Sequence, residues 1–419
     1  MLDWASVKRQ IDEMVAYRAG REDLYRQKVQ VALGEVKRWE ASWMELARKV
    51  EGARTSWLLG HPEGPLGGCY PAPGRSPEVT VLAVDGSQIY PSRHEVSSCY
   101  LINLGMVRFH YGTEERPLLS SRAQLYYREE DLAAYPQTLL SPAASQSRGA
   151  SQAAFGLPLR EVQGGGLKGS LNGEGVALRR GLMELGELLS LLEPPEVPGR
   201  PAVAFSDGTL IWWMLEGKPE ELRAGVLQEV RSLWDQFEEK GLPVAGYISR
   251  PNSADVINSL RVGLCPDDLV NCDRCGYRQM ETLPCSAIEG LVDGSLFGRF
   301  LAPGERSSLF RSSSRILKEY GHHGVAFFYL NAGAEVARVE VPAWVAADRG
   351  KLDLVHSVAW DQAQKGQGYP VCLLEAHERA VIRGPDRELF YRLVRDALVG
   401  GNMRAQASRK SLSKRRATI

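Results

Sequence analysis

The sequence has no surplus of either charge: 51 Lys and Arg stand against 51 Asp and Glu in 419 residues. That balance excludes the globally basic footprint by which many nucleic-acid binders hold a polyanion. Any polyanion handled here must meet positive charge concentrated locally or supplied by a partner. Long apolar runs are also missing, so no segment reads as a membrane span. Met1-Leu2-Asp3-Trp4 opens without the basic stretch and apolar run of a secretory leader. Cysteine is scarce, with seven residues unevenly spread, which excludes the dense disulfide framework of small secreted domains. A cytoplasmic globular chain is expected. One local basic concentration closes the sequence: Arg404, Arg409, Lys410, Lys414, Arg415 and Arg416 occur after Met403 with no acid among them. It reads as a solvated tail, with a DNA-binding arm as the alternative.

The length suits one large domain with additions, or two domains. Residues 6 to about 50 predict helix, because Val29, Leu33, Val36, Trp39, Trp43, Leu46 and Val50 recur in steps of three and four. Val7, Ile11, Met14 and Val15 share the pattern. An N-terminal helical region over residues 1–60 is expected, either packed on the body or protruding to pair with a second subunit. Pro/Gly-rich residues 61–78 read as a linker. The body is expected over 79–399, followed by the basic tail over 400–419.

Within the body, an apolar strand from Val79 to Val84 runs into Asp85-Gly86-Ser87. Two β-rich runs, Val96 to Leu104 and Met106 to Tyr111, predict a hairpin turning at Gly105. Residues 137–174, rich in Ser, Gly and Ala, predict a long mobile loop. A helix from about Val176 to Leu192 precedes a second apolar strand, Ala202 to Ser206, which delivers Asp207-Gly208-Thr209. Helices and strands then alternate to the end, which indicates an α/β fold.

Val-Leu-Ala-Val-Asp-Gly-Ser and Val-Ala-Phe-Ser-Asp-Gly-Thr are near copies. Groups at the ends of such strands point into the crevice where ligands bind. Two aspartates placed there repel unless a cation sits between them, and hard oxygen ligands suit magnesium or manganese. Each copy alone also reads as an ordinary Asp-Gly turn. The intervening helix offers Glu184 and Glu187, nearly on one face, as a third carboxylate. A third copy, Asp293-Gly294-Ser295, has a weaker strand before it and reads as a turn or helix start.

The run from Val81 to Gly105 resembles the opening of the NurA domain, a nuclease family with an RNase H-like mixed sheet flanked by helices. Arg179–Leu189, Phe205–Ile211, Gly246–Pro251 and Tyr369–His377 fit the same family in order. The resemblance implies a metal-dependent deoxyribonuclease, a 5′-3′ exonuclease with single-strand endonuclease activity. It matches Asp85, Glu184 and Asp207 to the family's acids, with Glu187 still open as the helix residue, and His377 to its late histidine. Two manganese or magnesium ions are implied, one activating water and the other steadying the leaving oxygen. His377 is then an outer metal ligand or proton carrier. Tyr247 matches the family's aromatic residue and is taken with the catalytic set, and Tyr247 and Arg250 are candidate DNA contacts. Tyr247 also reads as simple core packing. A homodimer and a HerA-type hexameric ATPase, which feeds DNA ends during resection and repair, complete the implied picture.

Cys265, Cys272, Cys275 and Cys285 cluster as Cys-x6-Cys-x2-Cys-x9-Cys, a candidate structural zinc set inside a Cys-rich insertion, though the outer spacings fit no standard finger. Two other functions compete. An actin-like ATPase also builds strand–Asp–Gly phosphate loops, but no Walker A run or late Gly-rich adenosine motif is present. A non-catalytic scaffold for a ring ATPase would not need acids at all three positions.

Overall fold

The computed structural model describes residues 2–91, 99–128, 131, 173–192 and 199–402. The expected mobile loop up to residue 172, and the basic tail from Met403, lie outside the described residues. The chain forms two compact units, residues 1–74 with 247–368, and residues 75–246 with 369–419. Among the described residues no helix is long and apolar enough to cross a membrane.

The strands are β1 (Gly60–Pro62), β2 (Cys69–Tyr70), β3 (Val79–Ile89), β4 (Tyr100–Tyr111), β5 (Leu118–Tyr126), β6 (Ala202–Asp207), β7 (Val244–Ile248), β8 (Arg306–Ser307), β9 (Phe310–Ser312), β10 (Val325–Asn331) and β11 (Val336–Pro342). The helices are α1 (Trp4–Ala19), α2 (Glu22–Trp39), α3 (Trp43–Glu51), α4 (Gly173–Ser190), α5 (Glu220–Glu239), α6 (Asp255–Leu264), α7 (Asp293–Phe297), α8 (Ala343–Ala347), α9 (Arg349–Lys365), α10 (Val371–Ala380) and α11 (Gly384–Gly400).

In the first unit, the expected N-terminal helix is three helices, broken at Gly20-Arg21 and at Glu40–Ser42. The predicted stripe holds on α2 and α3, where Val29, Val36, Leu46 and Val50 are buried in one cluster with Ile257, Leu260 and Leu296. Each such aliphatic side chain contributes about 1.5–3 kcal/mol through burial. On α1 no residue is buried, and Trp4, Ile11, Met14 and Val15 are exposed. The Pro/Gly-rich stretch is more than a linker, since it carries most of β1 and all of β2, paired antiparallel to β9 and β8. Proline ends β1, where the missing N–H costs no ladder bond beyond the strand. β10 and β11 form the expected antiparallel pair.

Asp293 opens α7, so the third Asp-Gly-Ser copy is a helix start. Its buried carboxylate accepts from the N–H groups of Val256 and Ile257 at 3.1 and 2.8 Å, and from the Tyr329 hydroxyl at 2.6 Å. It thereby caps α6 from a distance, which satisfies amides that a helix start leaves unpaired.

A second buried polar group in this unit couples folding to pH. His356 of α9 is 1% exposed and sits 2.9 Å from the Gly304 carbonyl through Nε2. Burial pushes its pKa down to about 4 from 6.5. The unfolded imidazole therefore takes a proton that the folded one refuses. The stability it contributes is present above about pH 6.5 and lost as pH falls toward 4, on the order of 3 kcal/mol in all. His356→Gln should flatten that part of a urea-midpoint-versus-pH curve, and an unchanged acid slope would count against this assignment.

In the second unit, β3 pairs parallel with β6 and antiparallel with β4, which pairs antiparallel with β5. This is a mixed sheet in a mixed α/β fold. Two sequence expectations change here. β4 is one continuous strand through Gly105, and its hairpin-like partner is β3. β3 does not stop at Val84 but continues through Asp85-Gly86-Ser87 to Ile89. The glycine-containing steps are tolerated in the strand because helices approach the sheet there.

Candidate metal centre

The parallel register of β3 and β6 runs from Thr80 opposite Ala202 to Val84 opposite Ser206. One step further brings Asp85 level with Asp207, the last residue of β6. The chain then leaves through Gly208, whose φ of 94° is a left-handed conformation that favours glycine. β3 runs on beside β4 alone. Two aspartates thus stand side by side where the parallel pairing ends, which is where ligands enter such sheets.

Gly105 on β4 lies directly opposite Asp85 and shares its face of the sheet. A Cβ built on Gly105 would lie 2.1 Å from the Ala376 carbonyl oxygen and 2.4 Å from the Ala380 nitrogen. The glycine is therefore the seat on which α10 rests. The end of α10 is tied down by Asn103, whose amide donates to the carbonyls of Arg379 and Ala380 at 3.1 and 2.8 Å. The Ser87 hydroxyl also donates to the Ala380 carbonyl. These bonds satisfy carbonyls that a helix end leaves unpaired. The seating places His377 with Nδ1 2.9 Å from Asp85 Oδ2. The His377 side chain is 56% exposed, against 17% for Asp85. Just before α10, the Tyr369 hydroxyl donates to Asp207 Oδ1 at 3.0 Å.

Gly86 points to the opposite face, toward α4. A Cβ there would lie 2.5 Å from Glu184 Oε1 and 2.7 Å from Arg180 Cγ. The missing side chain is the gap through which Glu184 reaches the aspartates. Arg180 Nε lies 3.1 Å from Glu184 Oε1, and Arg180 also donates to the Gln88 side chain at 2.9 Å. Glu187, the alternative helix acid, is turned away and paired with Arg122 of β5. Both residues fit one helical face by spacing; only the sheet beneath them separates their roles.

The electrostatics show a group of acids only partly compensated. Burial pushes Glu184 up to about 8, against the pull of Arg180, and the charges of Asp85 and Asp207 push in the same direction as burial. Asp207 is also raised by burial, opposed by the Tyr369 hydrogen bond, with Asp85 adding to the rise. Glu184 Oε1 is buried and its charge is offset in part by Arg180 and by the Gly86 N–H. Three carboxylates that feel one another's charge, with an imidazole beside Asp85, are donor types that suit a manganese or magnesium ion. Among the described residues no three of their ligand atoms lie within 4.8 Å of one another.

Tyr247 and Arg250 belong to the first unit. Tyr247 is fully buried, as core packing requires, and Arg250 pairs with Glu335 at 3.5 Å. The four clustered cysteines also belong to the first unit. Nothing in the sequence marks Tyr369, Arg180, Asn103 or Ser87 as parts of the site, and Gly105 reads there as a turn. Tyr369 lay inside a segment already singled out, and the small and polar residues that seat α10 give no periodic signal.

The NurA domain family model matches residues 79–382. Among solved structures, the chain is similar to the crystal structure of the NurA nuclease from Sulfolobus solfataricus, at 15% identity and a TM-score of 0.45, over 96% of this chain and 98% of that one. It is also similar to a crystal structure of NurA with manganese, at 12% identity and a TM-score of 0.35, over 78% and 90% of the two chains. No curated protein matches it.

Proposed function

Because this chain belongs to the NurA domain family, we infer that Asp85, Asp207 and Glu184 are the metal ligands of a deoxyribonuclease. The observation that carries the reading is the mutual coupling of three acids from β3, β6 and α4, with Arg180 and His377 the basic groups paired to them among the described residues. Manganese, the metal present in one NurA structure similar to this chain, or magnesium is the proposed ion. Two ions are proposed, which Asp85, Asp207 and Glu184 would hold. Bound there, such an ion supplies a water ionised at neutral pH and offsets charge developing on a phosphodiester.

The chain's own groups perform the remaining work. Tyr369 orients Asp207, and Arg180 holds Glu184 in the gap above Gly86. His377 is anchored to Asp85 on one side and reaches solvent on the other. That position suits a proton carrier near neutral pH, or an outer ligand. The substrate is DNA, cut from 5′ to 3′ with endonuclease action on single strands. The neutral overall charge favours delivery of the strand by a HerA-type ring ATPase during cytoplasmic end resection. The exposed apolar residues of α1 favour a homodimer; sedimentation of the chain with and without that ATPase tests both partnerships, and a lone monomer in each run would remove them.

Digestion of a 5′-labelled single strand tests the activity. Cleavage should require manganese or magnesium and stop with a chelator. Equal cleavage in chelator would overturn the assignment, and so would no cleavage with metal and the ATPase present.

A further inference from the structure

We propose that Cys265, Cys272, Cys275 and Cys285 bind one structural zinc ion that staples the segment between α6 and α7. All four thiols are free and half-buried, and all four line a single cavity of about 30 Å³ in the first unit. That space suits one water-sized occupant. Tetrahedral thiolate sets are the hallmark of structural zinc.

The segment has little else to hold it. From residue 264 to residue 287 the only buried side chain is Val270, and the only regular structure is two short 3-10 turns, Cys272–Arg274 and Pro284–Ile288, the second running just past that stretch. Val270 joins the apolar cluster of α2 and α3, with Leu264, Cys265 and Cys272 packed against it, but so little burial offsets only part of the conformational entropy of a stretch this long. It is nevertheless pinned at its middle, by a β-bridge between Asn271 and Arg54, and near its end. Cys272 N donates to the Arg54 carbonyl at 2.9 Å, and Arg261 Nε donates to the Cys285 carbonyl at 3.0 Å. Asn271 Oδ1 accepts from the N–H groups of Asp273 and Arg274 at 3.2 and 3.3 Å, which shapes the Cys-x-x-Cys turn.

Charge is arranged to match. A zinc ion on four thiolates leaves a net double negative charge. Lys49, Arg278 and Arg261 each donate to the backbone carbonyl of one ligand, Cys265 at 2.5 Å, Cys272 at 2.9 Å and Cys285 at 3.0 Å. Asp267, on the cavity wall, is engaged by the Tyr277 hydroxyl at 2.8 Å. Among the described residues no three of these sulfurs lie within 4.8 Å of one another. Binding therefore draws the turn inward: four Zn–S bonds form, four thiol protons leave to solvent, and nothing is oxidised or reduced.

Elemental analysis of chain purified without chelator should find about one zinc per chain. An organomercurial that caps the thiols should release it. A Cys272→Ser/Cys275→Ser variant should lose the ion, and trypsin should then cut at Arg274 and Arg278 at least about ten times faster, as expected of a loop freed to open locally. The wild-type count and mercurial release stand even if the variant fails to fold. Zinc near zero, iron in its place, or zinc retained by the variant would overturn the proposal. None of these readouts depends on nuclease activity or on the acid cluster.

Discussion

Asp85→Asn should lower the metal-dependent cleavage rate by at least about 10³-fold while the metal-free chain becomes as stable as the wild type or more so. The first part follows from position. Asp85 is the acid level with Asp207, within the field of Glu184, and hydrogen-bonded to His377. An amide of the same shape keeps the backbone and accepts from His377, but it donates no charge to an ion. The second part follows from repulsion. In the metal-free chain Asp85 raises the pKa of both Glu184 and Asp207. Removing its charge relieves both neighbours. Manganese at 100 times its dissociation constant stabilises a folded protein by about 2.7 kcal/mol, and Asp85→Asn should lose that gain. Thermal melts with and without manganese, run beside the cleavage assay, read all three effects. A variant that still cleaves at the wild-type rate, or still gains the wild-type increment from manganese, would show that Asp85 is no ligand.

Gly105→Ala is expected to be nearly as damaging, although it removes no chemical group. The added methyl would meet the Ala376 oxygen at 2.1 Å and the Ala380 nitrogen at 2.4 Å, both backbone atoms that cannot rotate aside. The helix must lift by roughly an ångström or more to restore ordinary contact, at a cost of about 1–3 kcal/mol or above. His377 rides on that helix, and a displacement of this size at a reacting group costs about 10²-fold in rate. Gly34→Ala is the control, because that helical position has nothing within 4 Å of the new carbon. It should stabilise by about 0.5–1 kcal/mol. Equal melting temperatures for Gly105→Ala and wild type, with activity intact, would refute the seating role.

The sequence signals that worked were periodic ones. Apolar runs ending in Asp-Gly located β3 and β6, and three-four spacing located the buried stripe of α2 and α3. The misreadings fall where glycine has two uses. Gly105 reads as a turn, and Gly86 reads as part of one, because the chain cannot reveal that a helix will press against either. Glu184 and Glu187 were inseparable for a similar reason: three residues of helix put both on one face, and Arg122, which claims Glu187, lies on a strand 65 residues earlier. Tyr369 became visible as an Asp207 partner only when residues 162 apart met.

The contact between His377 and Asp85 joins positions separated by 292 residues. Contacts of such long range are slow to form and close late in folding, after local structure is in place. The cutting apparatus is consequently a property of the completed chain. A nascent polypeptide still short of α10 has its acids but no histidine and no seated helix. On the proposed roles of His377 and α10, assembly order alone would delay the onset of a potentially destructive activity until synthesis has passed residue 380, without any inhibitor.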